Sequence, residues 1–231
     1  MNFTTEKYYL KSSSFFDHLS KKESAFIKNK MVRKEYKPGQ ILFKEGTYSR
    51  GIYIVKKGKI KIFQTNGEGK ESIVYLYRKN DFFGYRPLLG DDPHPTSAAA
   101  VDTVVVSYIP AEVFLETLEN STALAKRLLV NLSKEFSVWI NKLSTFSTSS
   151  VKERIAISLL IFNEIYHIDH SKNKYTVISI NRNDFAAFVG TAKENLVRIL
   201  RVFKDEKIIA SKRTNLTVLN QKALMELLNG I

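Results

Sequence analysis

A group of polar side chains near the carboxyl end of the chain has the chemistry needed to read the edges of DNA bases. Leu196, Ile199 and Leu200 recur at helical spacing and form an apolar stripe. The positions outside that stripe are Lys193, Glu194, Asn195, Val197 and Arg198. Cationic and carboxylate side chains can donate to guanine and accept from cytosine. The pattern predicts a helix whose first turns enter the major groove of a duplex.

A preceding helix must position this one. Phe185 and Ala186 lie at helical spacing before Gly190. A small side chain at Ala186 lets two helices cross closely, and Gly190 gives the backbone freedom of a tight turn. We expect Thr191 to cap the second helix, with Glu194 three residues later completing a capping box. These features predict a helix-turn-helix.

Two β-rich runs follow, at residues 207–213 and 216–219, with a turn signal at Arg213, Thr214 and Asn215. A β-hairpin with a basic tip beside a helix-turn-helix indicates a winged helix. A purely structural helical hairpin can mimic the motif, but the basic face and the wing together favour DNA binding.

The predicted contacts divide into base reading and backbone binding. Arg198 would donate to a guanine edge, Glu194 would accept from cytosine N4 or hold Arg198 in place, and Lys193 would reach a base or a phosphate. Contacts to the DNA backbone are expected from Thr191, Lys212 and Arg213.

This stretch resembles the DNA-binding domain of the Crp/Fnr family of bacterial transcription regulators. The recognition helix of that family opens with Ser/Thr-Arg-Glu-Thr-Val-x-Arg, and residues 192–198 read Ala-Lys-Glu-Asn-Leu-Val-Arg. The resemblance implies that Glu194 and Arg198 keep the family's base-reading positions. Lys193 replaces an arginine and lacks its bidentate fork for guanine, so the resemblance does not fix the preferred base sequence.

The segment from residue 36 to residue 110 consists of short β-runs separated by most of the ten glycines of the chain. Evenly spaced short strands with such turns indicate a β-roll or barrel. Turn signals at Gly39, Gly46, Gly58 and Gly84 sit where the cyclic-nucleotide-binding roll of the same family has its turns. This half of the chain therefore resembles the family's sensor domain.

The expected effector pocket departs from the nucleotide binders of that family. Their pattern is Phe-Gly-Glu-Leu followed by Arg-Ser/Thr-Ala, which supplies a carboxylate for the ribose and a cation for the phosphate. The corresponding residues here are Phe83, Gly84, Tyr85, Arg86, Thr96 and Ser97. Tyr85 replaces the carboxylate, and no arginine precedes Ser97. We expect that neither cAMP nor cGMP binds at micromolar concentration, and the small-molecule effector is left unidentified.

The sequence gives little support to metal or catalytic chemistry. The chain has no cysteine, which excludes disulfides, thiolate zinc sites and cysteine-ligated iron–sulfur clusters. Its histidines are His18, His94, His167 and His170. The pair at 167 and 170 lacks a second ligand cluster at fixed spacing. Paired carboxylates, a nucleophile motif and a P-loop are not evident, so we expect no metal, no cofactor and no enzymatic activity.

The balance of charge favours a polyanionic partner. The formal net charge is +13 over 231 residues. An anionic membrane surface is the alternative, but a strong basic amphipathic helix is lacking outside the DNA-binding unit. The sequence also lacks a secretory segment and an apolar run long enough to cross a bilayer. We therefore expect a cytoplasmic protein with no membrane partner.

A long helix is predicted from Ser121 or Thr122 to about Phe146. Its apolar residues recur every three or four positions and are Ala125, Leu129, Leu132, Phe136, Trp139, Leu143 and Phe146. Such a seam packs either on the β-roll of its own chain or on the same helix of a second chain. The repeat and the large aromatic residues favour a homodimer, which is also the role of this helix in the family. The Ser/Thr-rich run at residues 144–150 predicts a flexible hinge, with Ser149 or Ser150 capping the next helix.

These features predict an α+β protein with three parts. They are a jelly-roll-like, cyclic-nucleotide-binding-like β-roll at 1–120, a dimerisation helix and hinge at 121–147, and a winged helix-turn-helix at 148–231. The predicted function is sequence-specific binding of double-stranded DNA by a homodimer that reads dyad-related half-sites and regulates transcription. RNA polymerase is a possible further partner. The alternative is a cyclic-nucleotide-responsive regulatory subunit that does not bind DNA.

Overall fold

The computed structural model describes residues 4–10, 14–167 and 175–228. A 3₁₀ turn at Thr5–Tyr8 is followed by helix α1 at Lys21–Lys30. The Ser20 hydroxyl accepts a hydrogen bond from the Glu23 backbone N–H at 3.2 Å, and the Glu23 carboxylate accepts one from the Ser20 N–H at 2.7 Å. This capping box satisfies two backbone donors that the first turn of a helix otherwise leaves without partners.

Short strands make up the next part of the chain. They are β1 (Val32–Tyr36), β2 (Ile41–Phe43), β3 (Gly51–Lys57), β4 (Ile60–Thr65), β5 (Glu71–Tyr77), β6 (Phe82–Phe83), β7 (Ser97–Ala100) and β8 (Val104–Pro110). Among the described residues they form two sheets of four strands, in the orders β1-β8-β3-β6 and β2-β7-β4-β5. The turn from β3 to β4 requires Gly58, because its φ is +82° and a Cβ would lie 2.5 Å from the Thr103 carbonyl oxygen. The predicted β-roll is confirmed.

One hydrophobic core lies between the first of these sheets and the helices around it. Helix α2 (Arg86–Gly90) lies between β6 and β7, and helix α3 (Ala111–Asn120) follows β8. The core contains Phe15, Ile27, Ile52, Ile54, Phe82, Tyr85, Ile109, Val113, Phe114, Leu124 and Leu128. Buried and half-buried residues alternate at the start of β8, as a sheet with one covered face requires, whereas the first five residues of the central strand β3 are all buried.

The long helix α4 spans Thr122–Thr148, and α5 spans Val151–His167. Ser121 begins α4 by accepting a hydrogen bond from the Leu124 N–H at 3.1 Å. Helix α4 continues through Thr148, so the break between the two helices is confined to Ser149 and Ser150, and the hinge predicted over residues 144–150 stays a prediction. Hydroxyl groups near the end of α4 bond to carbonyl oxygens one turn earlier, as Thr148 Oγ1 does with the Ser144 oxygen at 3.3 Å. Ser150 caps α5 as predicted, with Glu153 completing a capping box.

The C-terminal part is a winged helix. Its elements after α5 are β9 (Val177–Ser179), α6 (Arg182–Val189), α7 (Lys193–Asp205), β10 (Ile209–Lys212), β11 (Asn215–Val218) and α8 (Gln221–Glu226). The strands form an antiparallel sheet in the order β10-β11-β9. Phe162 of α5 packs on Phe185 and Phe188 of α6, with ring centroids 5.0 and 4.7 Å apart. The predicted helix-turn-helix and wing are therefore present.

The described residues divide into two compact units. One consists of Lys11–Thr65 and Val74–Glu135, and the other of Met1–Leu10, Asn66–Ile73 and Phe136–Ile231, as far as these ranges are described. The predicted domain boundaries at 120 and 147 stay predictions. No helix of the described chain has both the length and the apolar character that crossing a bilayer requires.

Candidate nucleic-acid interface

Helix α7 separates its apolar and polar residues cleanly. Leu196, Ile199, Leu200 and Phe203 are buried, between 0 and 7% exposed. The residues that the sequence predicts to meet DNA are exposed and are Lys193, Glu194, Asn195, Val197 and Arg198. Glu194 and Arg198 are four residues apart and share one face of the helix. The structure thus brings the predicted base-reading residues together on an accessible surface, while their individual roles stay predictions.

The start of α7 differs from the prediction. The N-cap residue is Ala192, and the structure gives it no side-chain cap. Thr191 lies one residue too early to cap the helix, and its N–H instead donates to the Ala186 carbonyl oxygen at 3.1 Å. The predicted Thr191–Glu194 capping box is therefore wrong. Because no side chain caps it, the first turn of α7 presents backbone N–H groups at the same edge as Lys193 and Glu194.

The turn between α6 and α7 is built as the sequence indicates. Gly190 ends α6 with a left-handed φ of +72°, and its N–H donates to the Ala186 carbonyl oxygen at 2.9 Å. Asn181 begins α6 by accepting from the Asp184 N–H at 2.8 Å. Arg154 of α5 donates to the Gly190 carbonyl oxygen at 3.4 Å. This contact ties the turn to the preceding helix and was not predicted, because the two residues are 36 positions apart.

The wing has a two-residue turn. Lys212 pairs with Asn215 at the end of the hairpin, which leaves Arg213 and Thr214 between the strands. Arg213 has a left-handed φ of +55°. The side chains of Lys212 and Arg213 are exposed at this tip, as DNA-backbone contacts require.

Arg182, the first residue of α6, fixes the wing against the helix-turn-helix. Its guanidinium donates to the carbonyl oxygens of Arg213 and Thr214 at 3.2 and 3.4 Å, and to Ser211 Oγ at 3.0 Å. Sequence reasoning missed this residue, because an arginine at the start of a helix gives no local signal of partners 29 to 32 residues later. Arg182 positions the wing and is not itself predicted to touch DNA.

In the β-roll, aromatic rings occupy the place predicted for an effector. Phe83 stacks between Tyr53 and Tyr77, with centroid distances of 5.3 and 4.7 Å. Phe43 stacks on His94 at 3.8 Å. Burial lowers the pKa of His94 to about 4, so this imidazole is neutral near pH 7. The described residues contain no cluster of metal-ligating side chains, and His170 lies outside them.

Tyr85, which stands where the family pattern has a carboxylate, bonds to a carboxylate supplied from elsewhere. The Tyr85 and Tyr77 hydroxyls donate to the two oxygens of Glu135 at 3.1 and 3.0 Å. Asn131 donates to Glu135 at 3.0 Å and to the Tyr85 oxygen at 3.1 Å. Glu135 is 1% exposed, and its desolvation raises the pKa to about 7, although the hydrogen bonds oppose that rise.

The remaining predicted pocket residues do not converge on an open anion site. The Ser97 hydroxyl accepts a hydrogen bond from the Glu45 N–H at 2.9 Å. Arg86 is exposed at the start of α2, where its positive charge opposes the rise in the pKa of Glu135. Gly84 is held close to Tyr53, since a Cβ on it would lie 3.2 Å from that ring. Thr96 is half-buried.

The predicted dimer seam of α4 is exposed in the single chain. Leu129, Phe136 and Leu143 are 68, 61 and 69% exposed, and they follow one another at intervals of seven residues. Leu132 and Trp139 are half-buried and lie three residues after the first two. Large apolar side chains at heptad spacing on a helix surface are typical of a helix–helix interface.

Comparison with known proteins identifies both halves of the chain. Residues 33–121 match the cyclic nucleotide-binding domain family, and residues 153–227 match the Crp-like helix-turn-helix domain family. The fumarate and nitrate reduction regulatory protein of Vibrio cholerae is 27% identical over 195 residues, which cover 84% of this chain and 78% of that protein. The cyclic AMP receptor protein of Thermus thermophilus is 24% identical over 200 residues, which cover 87% of this chain and 89% of that protein.

A solved structure has the same fold. A Crp/Fnr family transcriptional regulator from Thermus thermophilus superposes with a TM-score of 0.72 at 22% identity, covering 86% of this chain and 99% of that one. The β-roll, the long helix and the winged helix thus occur together in this architecture. On the strength of both domain matches and these relatives, the chain belongs to the Crp/Fnr family of DNA-binding transcription regulators.

Proposed function

We propose that this regulator acts as a homodimer that binds a dyad-symmetric operator through α7, and that its β-roll does not take cAMP in the manner of nucleotide-binding relatives. The exposed polar edge of α7 carries the proposal. A helix that buries Leu196, Ile199 and Leu200 must present its other side outward. In this case that side carries Lys193, Glu194 and Arg198, which can donate to and accept from base edges.

The wing and the first turn of α7 supply contacts that do not depend on base sequence. Lys212 and Arg213 are exposed cations at the wing tip, and each phosphate neutralised by a cation releases counterions and strengthens binding. The backbone N–H groups at the start of α7 have no side-chain cap, so they are suited to phosphate oxygens. These groups would set the position of α7, and its side chains would read the sequence.

The seam of α4 supports the homodimer. Leu129, Phe136 and Leu143 expose large apolar areas that water solvates unfavourably. The same seam on a second copy is a matching partner, because a two-fold axis brings equivalent residues together. A two-fold dimer also presents two copies of α7, as a dyad-symmetric operator requires.

The β-roll supports a sensor that does not use cAMP. A cyclic nucleotide would have to displace the stacked rings of Tyr53, Phe83 and Tyr77. It would also bring a phosphate towards the buried acid Glu135, which bonds to the hydroxyls of Tyr77 and Tyr85. Both effects oppose binding of an anion. Isothermal titration with cAMP and with cGMP should give no saturable heat at micromolar concentration, and a saturable heat would refute this part of the proposal.

Selection of bound fragments from a genomic DNA pool tests the DNA-binding proposal. We expect recovery of fragments that share an inverted repeat with half-sites about one helical turn apart. The matched control is the Arg198→Ala chain, which keeps the fold because Arg198 is exposed but should lose the selected motif. Failure to enrich any fragment would instead favour a regulatory subunit that does not bind DNA. The proposed place of action is the cytoplasm, and the proposed role is not enzymatic.

A further inference from the structure

The tip of the β4–β5 hairpin lies across a cleft from the start of the recognition helix. Gly69, Lys70, Glu71 and Ser72 line one side of a cleft of about 750 Å³. The other side is lined by residues of α6 and by residues 190–194. Three of the predicted DNA-contacting residues, Thr191, Lys193 and Glu194, therefore line the cleft opposite the hairpin tip.

This arrangement conflicts with entry of α7 into DNA. The major groove is about 12 Å wide and about 8.5 Å deep, and its phosphate walls stand on both sides of an inserted helix. A duplex that received Lys193 and Glu194 would need the space beside the first turn of α7. The hairpin tip borders that space, so it must move away before the recognition helix can reach base edges.

One side chain fastens the hairpin to the helix-turn-helix. Lys142, near the end of α4, donates from Nζ to the Ile73 carbonyl oxygen at 2.8 Å. The same ammonium lies 3.7 Å from the centroid of the Phe188 ring in α6 and 5.3 Å from that of Phe146. A cation over an aromatic face is attracted to the ring, and more strongly when water is excluded. A single charge therefore contacts the hairpin and α6 at once.

The surroundings of Lys142 make this contact sensitive to small rearrangements. The residue as a whole is half-buried, whereas its ammonium is enclosed by two rings and a carbonyl group. This loss of water lowers the pKa of Lys142 to about 7. Opening the contact would return the ammonium to water, so the hydration that it regains opposes the contacts that hold the arrangement closed.

We infer that the hairpin tip is an autoinhibitory element, and that Lys142 is the latch holding it over the start of the recognition helix. The inference rests on the proposed DNA-binding function. The closed form is the state that does not bind DNA, and release of Lys142 from Ile73 or Phe188 clears the space that a duplex needs beside Lys193 and Glu194. Lys142 is a positioning residue in this scheme and makes no contact with DNA.

Breaking the latch provides the first test. Lys142→Met removes the charge but keeps a long apolar side chain, and we expect it to bind the selected operator at least about fivefold more tightly than the wild type. Lys134→Met, on the same helix at an exposed position, is the matched control and should bind like the wild type. Equal affinity of the Lys142→Met and wild-type proteins would overturn the inference.

Closing the latch covalently provides the converse test. The chain has no cysteine, so Ser72→Cys and Ala187→Cys together can be joined specifically by a bismaleimide with a cleavable disulfide spacer. The joined protein should lose operator binding, and reduction of the spacer should restore it. Each single variant, treated with the same reagent, is the control. A joined protein that binds DNA as well as the reduced one would refute the inference.

A readout without DNA separates this inference from the proposed function. Ala187 lines the cleft, and the rate at which a maleimide labels Ala187→Cys reports how often the hairpin moves away. We expect Lys142→Met to raise that rate and Lys134→Met to leave it unchanged. If no variant bound DNA, the proposed function would fail while a faster rate would still support the latch. An unchanged rate would refute the latch in either case.

Discussion

Replacing Glu135 by glutamine should change how stability depends on pH. The ordinary pKa of a glutamate is 4.5, and burial raises that of Glu135 to about 7. The folded state therefore holds this proton more tightly than the unfolded state does. Glu135 contributes stability that is fully present below about pH 4.5 and is lost as the pH rises through about 7. Glutamine keeps the shape of the side chain and carries no titrating proton.

The expected size follows from that change in pKa. A difference of one in pKa between the folded and unfolded states corresponds to about 1.36 kcal/mol, so protonated Glu135 contributes about 3 kcal/mol to the free energy of unfolding. About 2 to 3 kcal/mol of this contribution is lost between about pH 5 and about pH 8. The free energy of unfolding of the wild type should decrease by this amount relative to that of Glu135→Gln over the same interval. At about pH 8 the variant should be the more stable protein, because no charge is buried beside Tyr77 and Tyr85.

Urea unfolding followed by circular dichroism at the two pH values measures this difference. The exposed Glu119→Gln variant is the control, because a solvated carboxylate in the same unit should leave the pH dependence unchanged. If the free energies of unfolding of the wild type and of Glu135→Gln changed equally with pH, folding would not change the pKa of Glu135. The described hydrogen-bonded cluster would then be wrong.

Further expectations concern DNA and the dimer. Glu194→Ala should relax base preference at one operator position by about 1–3 kcal/mol. Lys212→Ala should weaken binding to all sequences and lower the slope of log affinity against log salt concentration by about one. Fluorescence anisotropy on a panel of operators distinguishes the two variants, and identical behaviour would contradict the assigned roles. Phe136→Glu places a charge in the exposed seam of α4 and should give a monomer in light scattering at micromolar concentration, whereas we expect the wild type to be a dimer. A Phe136→Glu protein that remains dimeric would exclude this seam as the interface. Arg182→Ala should loosen the wing without removing its cations, so it should raise the dissociation rate from every operator by about tenfold, with unchanged base preference, in surface plasmon resonance.

The sequence predicts those features that depend on local spacing. The apolar stripe of Leu196, Ile199 and Leu200 is enough to orient α7, because side chains three and four residues apart share a helix face. Gly190 marks the turn, since its left-handed φ favours glycine. The short strands and their glycines likewise identify the β-roll before any contact is known.

Features that depend on distant partners were missed or wrong. Glu135 faces two tyrosines that lie 58 and 50 residues earlier, and the periodicity of α4 gives no sign of them. The Ser/Thr-rich run remains helical through Thr148, because its hydroxyl groups bond to carbonyl oxygens of α4, as Thr148 does with Ser144. The pattern predicts Thr191 as the cap of α7, but the helix begins one residue later, with Ala192 as its N-cap.

Arg182 holds the wing mainly through main-chain atoms, so the position of the wing depends little on the side chains that would contact DNA. Two of its three bonds in the wing are to main-chain oxygens, which every amino acid possesses. Side chains at positions 213 and 214 can therefore be exchanged during evolution without dislodging the loop that carries them. Substitutions at these positions can therefore change how tightly the wing would hold the DNA backbone, while the main-chain frame that presents them stays the same.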